Sequence, residues 1–254
     1  MKLVRHVMKV QDLDGLADFY VGSLGMAAFG TAKRPLFGFD PEQCLLEFRD
    51  GATKPYQPAN NDFYWKIGFT LRDLDVAVAH LREKGVPVTD PYQFRDIGYM
   101  SKIRDPNGFI IELLQQGFEG NSKPVGDGHP IAAQATFAHI TLRVTDIDSA
   151  KTWCDKRLGQ RLMSVQPVDD FDFCLYFYGW SDEELPHKDI QSVENREWLW
   201  SRPYALIEFQ HLTSADAQVR KTDSRCAGFD GFAYETGEAG DRHYVTMTDL
   251  GTLL

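Results

Sequence analysis

The chain is short of positive charge, of clustered cysteine and of long apolar runs. Lys and Arg number 27 against 37 Asp and Glu, a net charge of −10. That sign repels nucleic-acid phosphates and anionic lipid headgroups, so neither is an expected partner. The cysteines, Cys44, Cys154, Cys174 and Cys226, are scattered without a CxxC pair or zinc-knuckle spacing, and read as reduced packing residues of a cytoplasmic protein. No stretch nears the roughly 20 apolar residues of a membrane helix, and MKLVRHVMKV at the start is interrupted by Lys2, Arg5 and Lys9. Phosphate-cradling glycine loops, nucleophile elbows and HExxH pairs are missing too. What is there is a 43% hydrophobic, 13% aromatic composition, enough to bury the core of a globular protein. A length of 254 residues fits one large domain or two small ones.

A repeat organises the chain. Three segments share a short apolar strand, an acidic-apolar-acidic triplet, a helical stretch and a terminating glycine. The first runs LVRHVMKV, Asp12-Leu13-Asp14 and on to Gly25; the second WKIGFTL, Asp73-Leu74-Asp75 to Gly85; the third FAHITLRV, Asp146-Ile147-Asp148 to Gly159. Apolar residues recur at helical spacing after each triplet, as in Leu74, Val78 and Leu81. The aspartate suits an N-cap and the glycine a left-handed stop. Strand-like runs follow each helix, among them IIELLQ after the Asp105-Pro106-Asn107-Gly108 turn, so the unit reads β-α-β-β-β. Residues 119–135 are glycine- and proline-rich and read as a linker; a charged insertion, WSDEELPHKDIQSVENREWLWSR, interrupts the third unit. AGFDGFAYET offers the first strand of a fourth unit that the remaining length cannot complete.

These repeats, with the turn-strand DPNGFIIELL, resemble the vicinal oxygen chelate superfamily of glyoxalase, bleomycin resistance and extradiol dioxygenase proteins. The third unit is similar to the glyoxalase I (lactoylglutathione lyase) family in the order HITLRV, CLYFYGW, WLWSRPYALIEFQH, AGFDGFAYET. The resemblance implies an α+β fold in which tandem βαβββ modules form cupped mixed β-sheets with helices outside. It divides the chain into a first domain, 1–118, holding modules 1–52 and 62–118, a linker 119–135, and a second domain, 136–254, with one module and a truncated fourth. It also implies a lyase or isomerase that binds a divalent metal, zinc or nickel foremost and iron or manganese next, and moves a proton through a metal-bound enediolate. The substrate would be a small molecule with adjacent oxygens, such as a glutathione hemithioacetal. The alternatives are a metal-free, non-catalytic ligand-binding member and an extradiol-type dioxygenase.

The implied metal positions lie on the first and last strands of each module. Three last-strand acids sit in apolar runs, Glu47, Glu112 and Glu208, where a carboxylate needs a cation or a metal beside it. On the first strands, His139 stands seven residues before its triplet and so does Lys66, whereas His6 stands six before. One residue of offset turns a strand side chain to the opposite face, so Arg5 takes the ligand register in the first module unless a bulge restores His6 as the metal ligand there. At the fourth, the position falls on Gly231. If modules one and two pair, the set is Arg5, Glu47, Lys66 and Glu112, with ion pairs and no catalytic metal. If two and three pair, it is Lys66, Glu112, His139 and Glu208, with Glu112 or Glu208 as the base. By resemblance Arg143, Lys66 and Arg5 bind substrate, Arg143 as a glutathione-carboxylate arginine, although Leu212 stands where the family has asparagine. The aromatics Tyr176, Phe177, Tyr178, Trp198 and Trp200 read as packing, as do the other histidines. A truncated fourth module predicts a homodimer that completes the barrel, or a half-open cup.

Overall fold

The computed structural model describes residues 1–237 and 240–253; the last residue of the 136–254 segment lies outside them. The first module is β1 (Lys2–Lys9), a π-helical turn over Asp18–Ser23, β2 (Ala27–Thr31), β3 (Arg34–Gly38) and β4 (Leu45–Arg49). The second is β5 (Tyr64–Leu71), α1 (Leu74–Glu83), β6 (Tyr92–Phe94), β7 (Gly98–Arg104) and β8 (Ile110–Gln115). The third is β9 (Thr136–Val144), α2 (Ile147–Trp153), β10 (Arg161–Val168), β11 (Phe173–Gly179) and β12 (Leu206–Leu212), with α3 (Glu194–Trp200) in the insertion. The fourth supplies β13 (Gly228–Thr236) and β14 (Asp241–Thr246). The fold is thus mixed α+β with extended strand sheets and few helices.

Local chemistry sets the element ends. Asp73 accepts from the Val76 N–H at 3.0 Å, and Asp146 from the Asp148 and Ser149 N–H groups at 3.1 and 3.0 Å. Gly25, Gly85 and Gly159 stop their helical segments at φ 71°, 72° and 62°, a region closed to most side chains.

The strands form a six-stranded sheet, β14-β13-β1-β4-β3-β2, and an eight-stranded sheet, β10-β11-β12-β9-β5-β8-β7-β6. The 1–118 and 136–254 division does not follow these sheets. First strands pair across modules: β5 runs antiparallel to β9, with Gly68 opposite His139, and β1 antiparallel to β13, with Val7 opposite Gly231. Modules two and three share one sheet and modules one and four the other. Two strands of the fourth module suffice for this, so among the described residues each module is paired with another.

Period-2 alternation decides what each strand face meets. Ile67 and Phe69 of β5, Ile111 and Leu113 of β8, Ile140 and Leu142 of β9 and Ile207 and Phe209 of β12 enter one large core with Met8 and Phe48 of the six-stranded sheet and the buried faces of α1 and α2. The alternate residues of the eight-stranded sheet face away, where a smaller cluster of Met100, Leu114, Phe177 and Leu206 packs against Leu199 and Trp200 of α3.

His6, a metal candidate in the sequence, packs among aromatic rings in the interior, away from Glu112, His139 and Glu208 on the outward face of the other sheet. Its ring is fully buried, stacked on Phe229 at 5.2 Å and Tyr64 at 5.5 Å, and its Nδ1 has no hydrogen-bond partner. Burial pushes the imidazole down from 6.5 to about 3. The unfolded chain therefore binds this proton near pH 6.5 while the folded chain does not, so stability is complete above that pH and falls as pH drops toward 3. Denaturant titrations of His6→Phe should lose about 2 kcal/mol less than the unaltered protein between pH 7 and pH 5. Parallel pH profiles for the two proteins would remove His6 from this role.

Candidate functional site

Four residues from four neighbouring strands converge on the outward face of the eight-stranded sheet. Lys66 comes from β5, Glu112 from β8, His139 from β9 and Glu208 from β12, and all are buried. Their spacing follows from register: Glu112 pairs with Gly68, and Glu208 with Thr141, each two residues along from the first-strand member on the same face.

Lys66 Nζ donates to Glu112 Oε2 at 2.5 Å and lies 3.8 Å from Glu208 Oε2. His139 Nε2 stands 3.1 Å from Glu208 Oε2 and 3.6 Å from Glu112 Oε2. Thr141 Oγ1 donates to Glu208 Oε2 at 2.9 Å, which leaves Glu208 Oε1 and both His139 ring nitrogens buried without hydrogen-bond partners. Burial would push the Lys66 ammonium down, but the Glu112 and Glu208 charges outweigh it and hold the group raised and protonated. Burial would likewise push Glu112 up; Lys66 foremost, then His139, reverse this and keep it well below the usual carboxylate range.

Gly68 makes room for the imidazole. A Cβ there would stand 2.1 Å from His139 Cε1, so any side chain at 68 would evict the ring. The four residues line the floor of a cavity of about 240 Å³. Phe177 and Trp200 stand at its inner wall, with ring centroids 6.1 and 6.2 Å from that of His139. Trp200 is fixed there by its indole N–H, which donates to the Ile97 carbonyl at 2.8 Å. These rings therefore serve the cavity as well as packing.

The other expected residues lie elsewhere. Glu47 is in the six-stranded sheet and is bound by Arg49 at 2.7 Å and Arg34 at 3.0 Å, not by Arg5. Arg5 is in that sheet as well, its guanidinium donating to the Val4 carbonyl at 2.6 Å. Arg143 points to the same face as His139 but does not line the cavity. It donates to Gln210 Oε1 at 2.8 Å and to the Asp62 carbonyl at 3.3 Å, and lies over the Trp65 ring at 4.4 Å. The reason is sheet pairing: Arg5, His6 and Glu47 belong to the half formed by modules one and four.

A divalent metal held by His139, Glu112 and Glu208 would need a point about 2.0–2.2 Å from each donor. Lys66 already presents a full positive charge to Glu112 Oε2 at 2.5 Å and to Glu208 at 3.8 Å. A second cation cannot share those oxygens while the ammonium stays, so the arrangement as it stands does not fit a metal. Among the described residues no group of three His, Cys, Asp or Glu is placed to hold one.

With this geometry the comparisons with known proteins are informative. The profile of the Glyoxalase/Bleomycin resistance protein/Dioxygenase superfamily matches residues 2–113. Over those residues the chain is similar to domains of that superfamily. A lactoylglutathione lyase of Arabidopsis thaliana is 25% identical over 189 residues, which is 70% of this chain and 61% of that protein. Another, from Oryza sativa subsp. japonica, is 26% identical over 81 residues, 32% of this chain and 23% of that one. The chain thus spans only part of the length of these relatives. The crystal structure of glyoxalase I from Zea mays superposes with a TM-score of 0.65 at 17% identity, covering 91% of this chain and 73% of that one, a likeness of fold. The matched region, 2–113, includes Lys66 and Glu112, whereas His139 and Glu208 lie beyond it. No helix among the described residues is long and apolar enough to cross a membrane.

Three contributors were not picked out from sequence. Thr141 follows His139 by two residues and Gly68 follows Lys66 by two, so same-face spacing could have found both. Lys102 lies across the β7–β8 hairpin from Glu112, and only the pairing reveals it.

Proposed function

We propose that this protein is a proton-transferring lyase or isomerase of the glyoxalase I kind, acting on a small carbonyl compound with a neighbouring oxygen. The observation that carries it is a protonated Lys66 between two carboxylates, one of which keeps a free oxygen, on the floor of an apolar-walled cavity. Glu208 takes a proton from the carbon next to the carbonyl. The electron pair of that C–H bond forms a C=C bond as the carbonyl π pair moves to oxygen, and the Lys66 ammonium stabilises the resulting enolate. The proton of the neighbouring hydroxyl passes to the enolate oxygen, and return of the abstracted proton from Glu208 to the former carbonyl carbon re-forms the C=O at the neighbouring oxygen, which completes an isomerisation. Glu112 holds Lys66 charged, and Thr141 fixes one oxygen of Glu208. The lactoylglutathione lyases among the relatives support this class of reaction.

A metal form of the same site is the competing reading, favoured by the unpartnered nitrogens of His139 and the free Glu208 oxygen. It requires Lys66 to leave. Elemental analysis of protein purified without added metal or chelator separates the two. Under about a tenth of an equivalent of zinc, nickel, iron, manganese and cobalt is expected, with deuterium exchange into hydroxyacetone or turnover of the methylglyoxal–glutathione hemithioacetal undiminished by chelator. A full equivalent of metal that a chelator removes together with the activity would overturn the ammonium form. Absence of exchange and turnover with either compound would overturn the enzyme reading.

A further inference from the structure

Resting on the reading of this cavity as the substrate site, its walls and charges restrict what can enter. Aromatic side chains run from rim to floor. Tyr92 and Phe171 stand at the mouth, 40% and 57% exposed although both are large hydrophobic residues. Phe94 lies edge-on to Phe171 at 5.6 Å, and deeper in Phe177 lies edge-on to Trp200 at 5.2 Å. These rings pack on one another and together present an apolar, aromatic lining on which the face or edge of a ring can pack. They offer nothing to the polar backbone of a peptide.

The charges are uneven in a way that points to an anion. Lys66 is committed to Glu112, and Arg143 to Gln210 and the Asp62 carbonyl. Lys102 also lines the cavity, and its Nζ has neither an ion pair nor a hydrogen bond among the described residues. Its ammonium lies over the Trp65 ring at 5.5 Å, the third cation around that indole after Arg143 at 4.4 Å and Lys66 at 4.8 Å. Burial foremost, with Lys66 and Arg143 nearby, pushes its amine down even though Glu112 opposes the shift. A negative group beside Lys102 relieves this crowding of like charge. The arginine position that the resemblance assigns to a glutathione carboxylate is occupied by contacts within the protein, and the cavity of about 240 Å³ is below the roughly 300–1,000 Å³ of drug-sized sites.

We propose that the cavity takes a small aromatic anion, a planar ring carrying a carboxylate next to a second oxygen, with the ring between the aromatic walls and the carboxylate on Lys102. Binding alone tests this, by calorimetry or by quenching of tryptophan fluorescence, with three probes: phenylglyoxylate, its methyl ester and pyruvate. Phenylglyoxylate should bind about tenfold or more tightly than the ester, the contribution expected of a charge-assisted hydrogen bond, and about tenfold or more tightly than pyruvate, which has no ring. Lys102→Met should bind acid and ester alike, and Lys102→Arg should restore the preference. Equal affinity of acid and ester for the unaltered protein, equal affinity for pyruvate, or no binding of phenylglyoxylate at millimolar concentration would each overturn the proposal. Since no turnover is read, binding with these preferences but without proton exchange would remove only the catalytic reading.

Discussion

Glu208→Gln should lower kcat by about 10²–10⁴-fold, the range for loss of a positioned general base, with little change in folding stability. The amide keeps the shape of the carboxylate and still accepts from Thr141 Oγ1 through its carbonyl oxygen, so the floor of the cavity stays packed. What disappears is the free basic oxygen. Glu112 cannot replace it, because its carboxylate is bound at 2.5 Å by Lys66 and held well below the usual carboxylate range. Rates of proton exchange, affinity for phenylglyoxylate and thermal midpoints should be measured on the same preparations. Full activity in Glu208→Gln with loss in Glu112→Gln would exchange the roles of the two acids.

Lys66→Met should destabilise the protein by about 3–5 kcal/mol at neutral pH, the range observed when one partner of a buried ion pair is removed. The methionine fills much of the volume of the lysine stem, so the loss is electrostatic: Glu112 and Glu208 would remain buried together without their cation. The loss should shrink as pH falls toward and below the ordinary glutamate value near 4.5, since without Lys66 burial pushes Glu112 up and it takes a proton in the fold before it does in the unfolded chain. It should also shrink in Lys66→Met/Glu112→Gln, where the second change removes one of the stranded charges. Denaturant titrations of the single and double variants read both effects. A loss below about 1 kcal/mol in the single variant would mean that solvent reaches these carboxylates and that Lys66 does not set their charge.

Much of the local structure was legible because it depends on neighbours in the chain. The aspartate triplets and the closing glycines marked helix ends, since capping and left-handed φ are properties of single positions. Counting back from the triplets put Lys66 and His139 in one register, and both line the same cavity. The same counting placed Arg5 and His6 on opposite faces of β1, and the structure puts His6 in the core. Length suggested a truncated fourth module, and in the structure its β13 pairs with β1 while β14 pairs with β13.

The sequence by itself determined the modules, their caps and the faces of their strands. Only the tertiary structure decided which module meets which, and with it the site. Alternation says which side chains share a face and nothing about whose backbone N–H groups the strand edge will meet. The pairing of β5 with β9 brings Lys66 and Glu112 to His139 and Glu208, and that of β1 with β13 takes Arg5 and Glu47 away. Tertiary packing also settled the committed contacts of Arg143, the place of Trp200 beside His139 and the lone charge of Lys102. Each of these rests on a partner contributed by another strand or by the insertion, and no count along one strand contains it.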